Sequence, residues 1–276
     1  MDLQGRTFAV WDIETPRITS EGIGAVPEIY CISVVLVIDG VIQPAKLFTQ
    51  YYTTYSDGSL LEAIKLINST DGAVAHNGIG FDNAVLRYVC GVDIKVKSYD
   101  TLIISKIMLS SNELISIDAK LGLDKKLWGS YSLKAFGERL GESKLEFTDF
   151  DGGLTYDMAF YCKQDTVTGA ELFVHLCNQP NWPADNVLEL EHECAKIIQE
   201  QEHYGFYFNI EKGTALNTTL LTEKLEIGHE LEKMFKPKFL PDGKVKTYKG
   251  TTKSKKFLPN PKYKPLLGTQ KWTTNN

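Results

Sequence analysis

Three groups of acids stand where short apolar segments end, and their types and spacing suit a cation that prefers oxygen ligands. In Trp11-Asp12-Ile13-Glu14-Thr15 the acids are two residues apart. Residues i and i+2 of a strand share a face, so Asp12 and Glu14 can reach one cation together. A D-x-E pair is a weak signal by itself. In a chain that is 24% charged it arises about once by chance, and two solvated acids would explain it as well. Its position is more informative: the pair closes an apolar run, is followed by Pro16, and so falls at the carboxyl end of a strand, where open α/β sheets place their sites. The second group is His76-Asn77-Gly78-Ile79-Gly80-Phe81-Asp82, in which an amide and two glycines allow close backbone approach before an acid at a helix start. As a helix N-cap, Asp82 would have a structural explanation worth about 1 kcal/mol. In the third, Tyr161-Cys162-Lys163-Gln164-Asp165, the i, i+4 spacing stacks phenol and carboxylate on one helix face. An acid on an apolar helix face needs a partner or a metal. A core tyrosine beside a surface aspartate is the alternative.

The elements that must carry these residues can be read from the hydrophobic pattern. Arg6 to Ile13 is a short apolar strand, and Glu28 to Ile38 a longer one rich in β-branched residues, closed by the hairpin signal Asp39-Gly40. Val41 to Tyr51 reads as the returning strand. Leu60, Leu61, Ile64 and Ile67 have helical spacing after Asp57-Gly58-Ser59. Gly72 to His76 is a buried strand, Phe81 to Cys90 a short helix and Ile94 to Ser98 a brief strand before an apolar helix that starts near Asp100-Thr101. Three antiparallel strands followed by alternating helices and parallel strands predict a mixed α/β sheet with covered faces.

The second half is mostly helical. Helices are expected over Ser132 to Leu140 and over Tyr156 to Cys177, the latter burying Met158, Tyr161 or Cys162, Leu172, Phe173 and Leu176. The segment Asn178-Gln179-Pro180-Asn181-Trp182-Pro183 breaks the pattern as a linker. Beyond it, Asp185 to Tyr204 places Val187, Leu190, Cys194, Ile197 and Ile198 on one face, and Ile210 to Phe235 forms another long helix. These two are too few for a core of their own and are expected to pack on the first domain or on a further one. Three segments follow: residues 1–179 as the catalytic domain, 180–235 as a helical extension, and 236–276 as a Lys-rich, mobile tail.

Composition narrows the class. With 43% hydrophobic residues in 276 the chain is no disordered protein, and its longest apolar stretch, Ile29 to Ile38, is half a membrane span. The start, Met1-Asp2-Leu3-Gln4-Gly5-Arg6, lacks a leader pattern, so the protein is expected to stay in the cytoplasm, with no membrane partner. Cys31, Cys90, Cys162, Cys177 and Cys194 form no C-x-x-C pair and read as reduced core residues. His175, His192, His203 and His229 read as packing or surface histidines. The net charge of −5 argues at face value against nucleic acid. It hides a division: residues 233–276 carry +11 and residues 1–232 carry −16.

The order D-x-E, N-G-x-x-F-D, Y-x-x-x-D resembles the DEDD superfamily of 3′–5′ exonucleases (DnaQ-like), in the branch with tyrosine in the last motif. It is most similar to the proofreading domain of bacteriophage DNA polymerases of family A. Asp100-Thr101-Leu102 opens a helix as in those polymerases. Gly129-Ser130-Tyr131-Ser132-Leu133-Lys134-Ala135-Phe136-Gly137 with Arg139-Leu140-Gly141-Glu142 resembles their G-S-x-x-L-x-x-[WF]-G-x-R-L-G-E segment. Glu191-His192-Glu193 through Gln201-Glu202-His203-Tyr204-Gly205-Phe206 resembles the helix leading into their polymerase portion. The resemblance spans about residues 6 to 235.

It implies a ribonuclease H-like, five-stranded mixed sheet flanked by helices. It also implies metal-dependent hydrolysis of DNA from the 3′ end to nucleoside 5′-monophosphates. Four carboxylates at one edge would repel one another without cations, and two Mg²⁺ or Mn²⁺ ions, which favour oxygen ligands, would neutralise them. By resemblance Asp12 bridges both ions, Glu14 and Asp165 complete the site that activates water, and Asp82 holds the second ion through water. Tyr161 orients the attacking water. Thr15, Asn77 and Phe81 are implied contacts of the terminal nucleotide, with His76 and Asp100 as further substrate-side candidates. The expected partners are a single-stranded or frayed DNA 3′ end and a polymerase chain or domain, in a bacterial host cytoplasm if the protein is phage-encoded. Lysines interleaved with Phe239, Tyr248, Phe257, Tyr263 and Trp272 suit a phosphate backbone, and equally a solvated linker. Ending at Asn276, before any polymerase motif, the chain is not expected to polymerise. An RNA exonuclease of the same fold and a non-catalytic DNA-binding or polymerase-docking module are the alternatives.

Overall fold

The computed structural model describes residues 1–19, 22–141 and 147–235, so the Lys-rich stretch from 236 onward lies outside the described residues. Six strands form one sheet: β1 (Thr7–Glu14), β2 (Cys31–Ile38), β3 (Val41–Ile42), β4 (Lys46–Phe48), β5 (Gly72–Ala75) and β6 (Ser98–Asp100). Their order is β3-β2-β1-β5-β6, with β4 also paired to β2. β2 is antiparallel to β1, β3 and β4, while β5 and β6 continue parallel to β1. The mixed, helix-covered sheet is therefore present, with six strands in place of five. The difference comes from Pro44, which has no N–H to give a ladder and splits the single returning strand expected over Val41 to Tyr51. The hairpin before it is tight, with both Asp39 and Gly40 at positive φ (52° and 79°), the conformation a two-residue turn between twisted strands requires. β6 also begins later than the pattern implies, because its parallel register with β5 pairs Ala73 to Ser98 and Ala75 to Asp100.

Strand alternation divides the core in two. Phe8 and Val10 of β1 face one layer, with Val35, Val37, Val74 and Tyr99. Ala9, Trp11 and Ile13 face the other, with Ile32, Val34 and Phe48. The second layer is covered by α1 (Leu60–Asn68) through Ala63, Ile64 and Ile67, and by α2 (Asp82–Val85), whose helix continues as a π-helical turn over Leu86–Cys90. Ser59 and Glu62 close a reciprocal capping box at the start of α1. The first layer is covered by α3 (Thr101–Met108), α4 (Ser111–Leu121), α5 (Leu133–Leu140) and α6 (Tyr156–Cys177), which contribute Ile104, Leu114, Phe136, Leu172, Phe173 and Leu176 among others. Each large side chain buried there stabilises the fold by about 1.5–3 kcal/mol. Among the described residues no helix is long and apolar enough to cross a membrane.

By its internal contacts the chain divides into residues 1–205 and 206–276. The first unit includes α7 (Asp185–Tyr204). In the second, α8 (Ile210–Met234) is N-capped by the Asn209 side chain, which accepts the Lys212 N–H at 2.9 Å. The packing of α7 corrects the sequence expectation. Val187, Leu190, Cys194, Ile197 and Ile198 are exposed, and the helix instead buries Leu188, His192 and Gln199. Cys90 is likewise exposed, while Cys31, Cys162 and Cys177 are buried, so only part of the cysteine set lies in the core.

Candidate active site

Parity along β1 aims the acids. Asp12 and Glu14 continue the even-numbered face begun by Phe8 and Val10, the face covered by α6. β1, β5 and β6 run parallel, so their carboxyl ends at Glu14, Ala75 and Asp100 share one edge of the sheet. The Cys162 thiol of α6 lies there as well: one ligand atom from each of Asp12, Glu14 and Cys162 falls within 4.8 Å of the other two. Sγ stands 3.8 Å from Oδ2 of Asp12. Burial first, and the Cys31 thiol second, push the Cys162 thiol well above its ordinary value, so it is a weak S–H donor toward Asp12.

One turn further along α6, Asp165 is buried and accepts a hydrogen bond from the Tyr161 hydroxyl. Tyr161 is half-buried, and its phenol pKa is raised by burial and then by the negative charge of Asp165, Glu14 and Asp12. It therefore stays protonated and acts as a hydrogen-bond donor, not as a base. Two aromatic rings that the sequence did not point to pack on it, Phe147 at 5.6 Å and Phe150 at 6.3 Å between centroids.

Asp82 reaches the same edge from the opposite layer. It is not the cap of its helix, since Phe81 holds that position with no side-chain bond. Its Oδ1 instead accepts the Ile13 N–H, between Asp12 and Glu14, at 3.1 Å. At 2% exposure it is the most deeply buried acid of the group, and burial is the main cause of its pKa being pushed up to about 7, with backbone hydrogen bonds opposing and the Asp100 charge adding. A linkage prediction follows. In the metal-free protein the folded state keeps this proton up to about pH 7, while the unfolded chain releases it near the ordinary 3.8. Between those values the native state binds the extra proton, so its stability falls as pH rises through the window and levels off above it. A divalent ion binds the ionised form, so Mg²⁺ should raise the melting temperature more at about pH 8 than at about pH 5. Scanning fluorimetry with and without Mg²⁺ checks this, and the pH slope should flatten in Asp82→Asn.

The turn between β5 and α2 is held from β6. Asp100 Oδ1 accepts the N–H groups of Asn77 (2.9 Å) and Leu102 (3.0 Å), and Oδ2 accepts that of Ile79 (3.1 Å). Asn77 takes a left-handed conformation, φ 65°, and its side-chain oxygen lies over Gly80. A Cβ on Gly78 would sit 2.5 Å from that of Ala75, a contact only glycine avoids. The His76 ring meets the Thr101 hydroxyl at 2.9 Å and Phe136 edge-on. Thr15 is buried beside Glu14, and Phe81 packs on the second core layer. The structure thus gathers Asp12, Glu14, Asp82, Tyr161 and Asp165 at one edge, with His76, Asn77 and Asp100 in an adjoining cluster. One further residue of that cluster was read from the sequence only as a packing or surface histidine: His192, whose Nε2 accepts the Asp100 N–H at 2.8 Å.

No protein-family model matches the chain. Among curated proteins it is 24% identical over 246 residues to the DNA-directed DNA polymerase of Escherichia phage T7, covering 71% of this chain and 34% of that one. It is 23% identical over 234 residues to the DNA-directed DNA polymerase of Enterobacteria phage T3, covering 67% and 33%. The chain thus spans about a third of the length of the curated relatives it matches. Among solved structures, NrnC of Brucella melitensis with bound Mg²⁺ aligns at a TM-score of 0.45 with 17% identity, over 72% of this chain and 85% of that one. A zinc-bound E. coli ExoI–ssDNA complex aligns at 0.39 with 14% identity, over 65% and 42%.

Proposed function

We propose that this chain is a DnaQ-like 3′–5′ exonuclease domain that hydrolyses DNA from the 3′ end to nucleoside 5′-monophosphates with two divalent metal ions. The observation that carries this reading is the convergence of four carboxylates and a protonated tyrosine, from β1, α2 and α6, on one sheet edge. The donor set fits Mg²⁺ or Mn²⁺: the acids offer oxygen, and the adjacent sulfur is held as a thiol by burial. Asp12, Glu14, Asp82 and Asp165 would hold the ions, which when bound supply positive charge to the phosphodiester and lower the pKa of water.

The remaining work falls to the chain itself. Asp165 takes the Tyr161 proton in a hydrogen bond and so turns the phenol oxygen lone pairs toward the site, where they can orient an attacking water. Ile13 N–H fixes the Asp82 carboxylate between the two β1 acids. Thr15, Asn77 and Phe81 border the edge on the sides of β1 and β5 and are the proposed contacts of the terminal nucleotide. Asp100 and His76 shape the Asn77 turn. The likeness to phage polymerases supports a proofreading role, with a frayed DNA end as substrate and a polymerase chain or domain as partner. Residues 1–179 would form the nuclease portion, 180–235 the extension toward the polymerase, and 236–276 the tail.

The test is a 5′-labelled single-stranded DNA incubated with the full chain and Mg²⁺ or Mn²⁺. Stepwise shortening from the 3′ end with release of 5′-monophosphates, lost on chelation, is the expected result; endonucleolytic fragments or metal-independent cleavage would contradict it. An RNA of the same sequence, run in parallel, should be degraded more slowly.

A further inference from the structure

We infer that His192 is a positioning residue of this site, through which α7 sets the conformation of the turn that carries Asn77 and Asp82. The inference rests on the exonuclease reading above and deepens it. His192 is buried at 6% exposure, on a helix that leaves its apolar stripe of Val187, Leu190, Ile197 and Ile198 in solvent. Of the apolar residues on the helix only Leu188 joins the core on this face, so apolar burial explains the choice in part. Hydrogen bonding adds to it: Nδ1 donates to the Leu188 carbonyl at 2.7 Å, one turn back on α7, and this leaves Nε2 as the acceptor for the Asp100 N–H at 2.8 Å. Burial holds the imidazole pKa below its ordinary value, in keeping with a neutral ring in that tautomer.

Asp100 passes the constraint on. Its amide is fixed by α7 and its carboxylate by the Asn77, Ile79 and Leu102 N–H groups, so the end of β6 and the turn after β5 move as one piece. Within that turn the Phe81 N–H bonds the Asn77 carbonyl at 3.0 Å and the Asn83 N–H bonds the Gly78 carbonyl at 2.8 Å, which brackets Asp82. Asp82 in turn holds Ile13, the residue between Asp12 and Glu14. A continuous series of hydrogen bonds thus runs from α7 to the acid cluster without His192 touching any of the acids itself.

The experiment compares the full-length wild type with His192→Leu, which keeps apolar volume and removes the acceptor, and His192→Gln, whose amide oxygen can replace it. Two quantities are read: Mn²⁺ affinity by calorimetry, and kcat against KM for a single-stranded oligonucleotide. Losing a direct outer partner of metal-binding acids typically costs about 10–100-fold in affinity or activity. His192 acts one step further out, so a loss at the low end of that range, about tenfold, is expected in His192→Leu for Mn²⁺ affinity and kcat, with KM within about twofold, and His192→Gln should recover most of it. A folded His192→Leu with wild-type affinity and kcat, or a Gln variant no better than Leu, overturns the inference. Should His192→Leu fail to fold, amide exchange in the wild type decides. Asp100 N–H should then be as protected as Val74 N–H in β5, and exchange at the rate of exposed loop amides overturns the latch. Mn²⁺ affinity is read without turnover, so a wild type that binds Mn²⁺ yet releases no nucleotide sinks the exonuclease reading alone.

Discussion

Asp12→Ala combined with Glu14→Ala is expected to lower nucleotide release on the order of 10³-fold, the equivalent of losing several kcal/mol of transition-state charge stabilisation from a metal. Both acids lie on the even face of β1 at its carboxyl end, just before Pro16, and the other even residues of β1, Phe8 and Val10, are apolar. The double variant should still fold. Phe8, Val10, Trp11 and Ile13 keep the packing of β1, and removing two negative charges beside buried Asp82 and Asp165 relieves repulsion in the metal-free protein. The expected signature is a melting temperature equal to or above that of the metal-free wild type, with Mg²⁺ no longer raising it. Measuring turnover and melting on the same preparation separates this outcome from misfolding. Retention of wild-type turnover would rule out the proposed chemistry.

A large loss of stability, in contrast, is expected from Arg139→Ala. Arg139 on α5 makes a two-pronged pair with Asp118 on α4, Nε to Oδ1 at 2.7 Å and Nη2 to Oδ2 at 3.0 Å. Both side chains are almost fully buried, at 6% and 0% exposure. Asp118 also accepts the Gly129 N–H at 2.8 Å, and the guanidinium carbon lies 4.8 Å from the Phe136 ring centroid. Truncating one partner leaves a buried carboxylate uncompensated, which costs about 3–5 kcal/mol. Urea unfolding should show that drop for Arg139→Ala. The paired replacement Asp118→Leu with Arg139→Met should recover much of it, because removing both charges removes the desolvation cost together with the attraction. The layer that seats α6 depends on this pair, since α5 packs directly on α6. Activity in Arg139→Ala should therefore fail at lower temperature than in the wild type, with little change in the cold.

Much of this architecture was legible from local pattern. Alternation named the shared face of Asp12 and Glu14 on β1, Asp39-Gly40 named the hairpin, and Asp57-Gly58-Ser59 the start of α1. The order of the three acid motifs sufficed to name the residues that the structure gathers at the sheet edge. The rest depended on information that is not local. Pro44 in a predicted strand was a visible break, yet only pairing with β2 shows that the chain resumes after it as β4. Ser110-x-x-Glu113 is the capping signal that starts α4 separately from α3, and the sequence reading, which noted only a helix beginning near Asp100-Thr101, passed over it. The face that α7 turns inward could not be read from periodicity, because the apolar stripe was the wrong guide. The unmet N–H of Asp100, far away in sequence, recruited His192. Phe147 and Phe150 carried no periodic signal at all and are recognisable only once Tyr161 is placed beside them.

The alternation of β1 has one more consequence, for how such a chain can change over time. Asp12 and Glu14 share a face with Phe8 and Val10, while Trp11 and Ile13 pack in the opposite layer. A single-residue insertion or deletion between Phe8 and Trp11 would exchange the layers, sending both acids under α1 and two large apolar side chains toward α6. A length change in this strand keeps the acids on their face when it comes in even steps, or when a bulge takes up the odd residue. Drift in the gene is therefore read here with a parity rule, stricter than anything imposed on the loops.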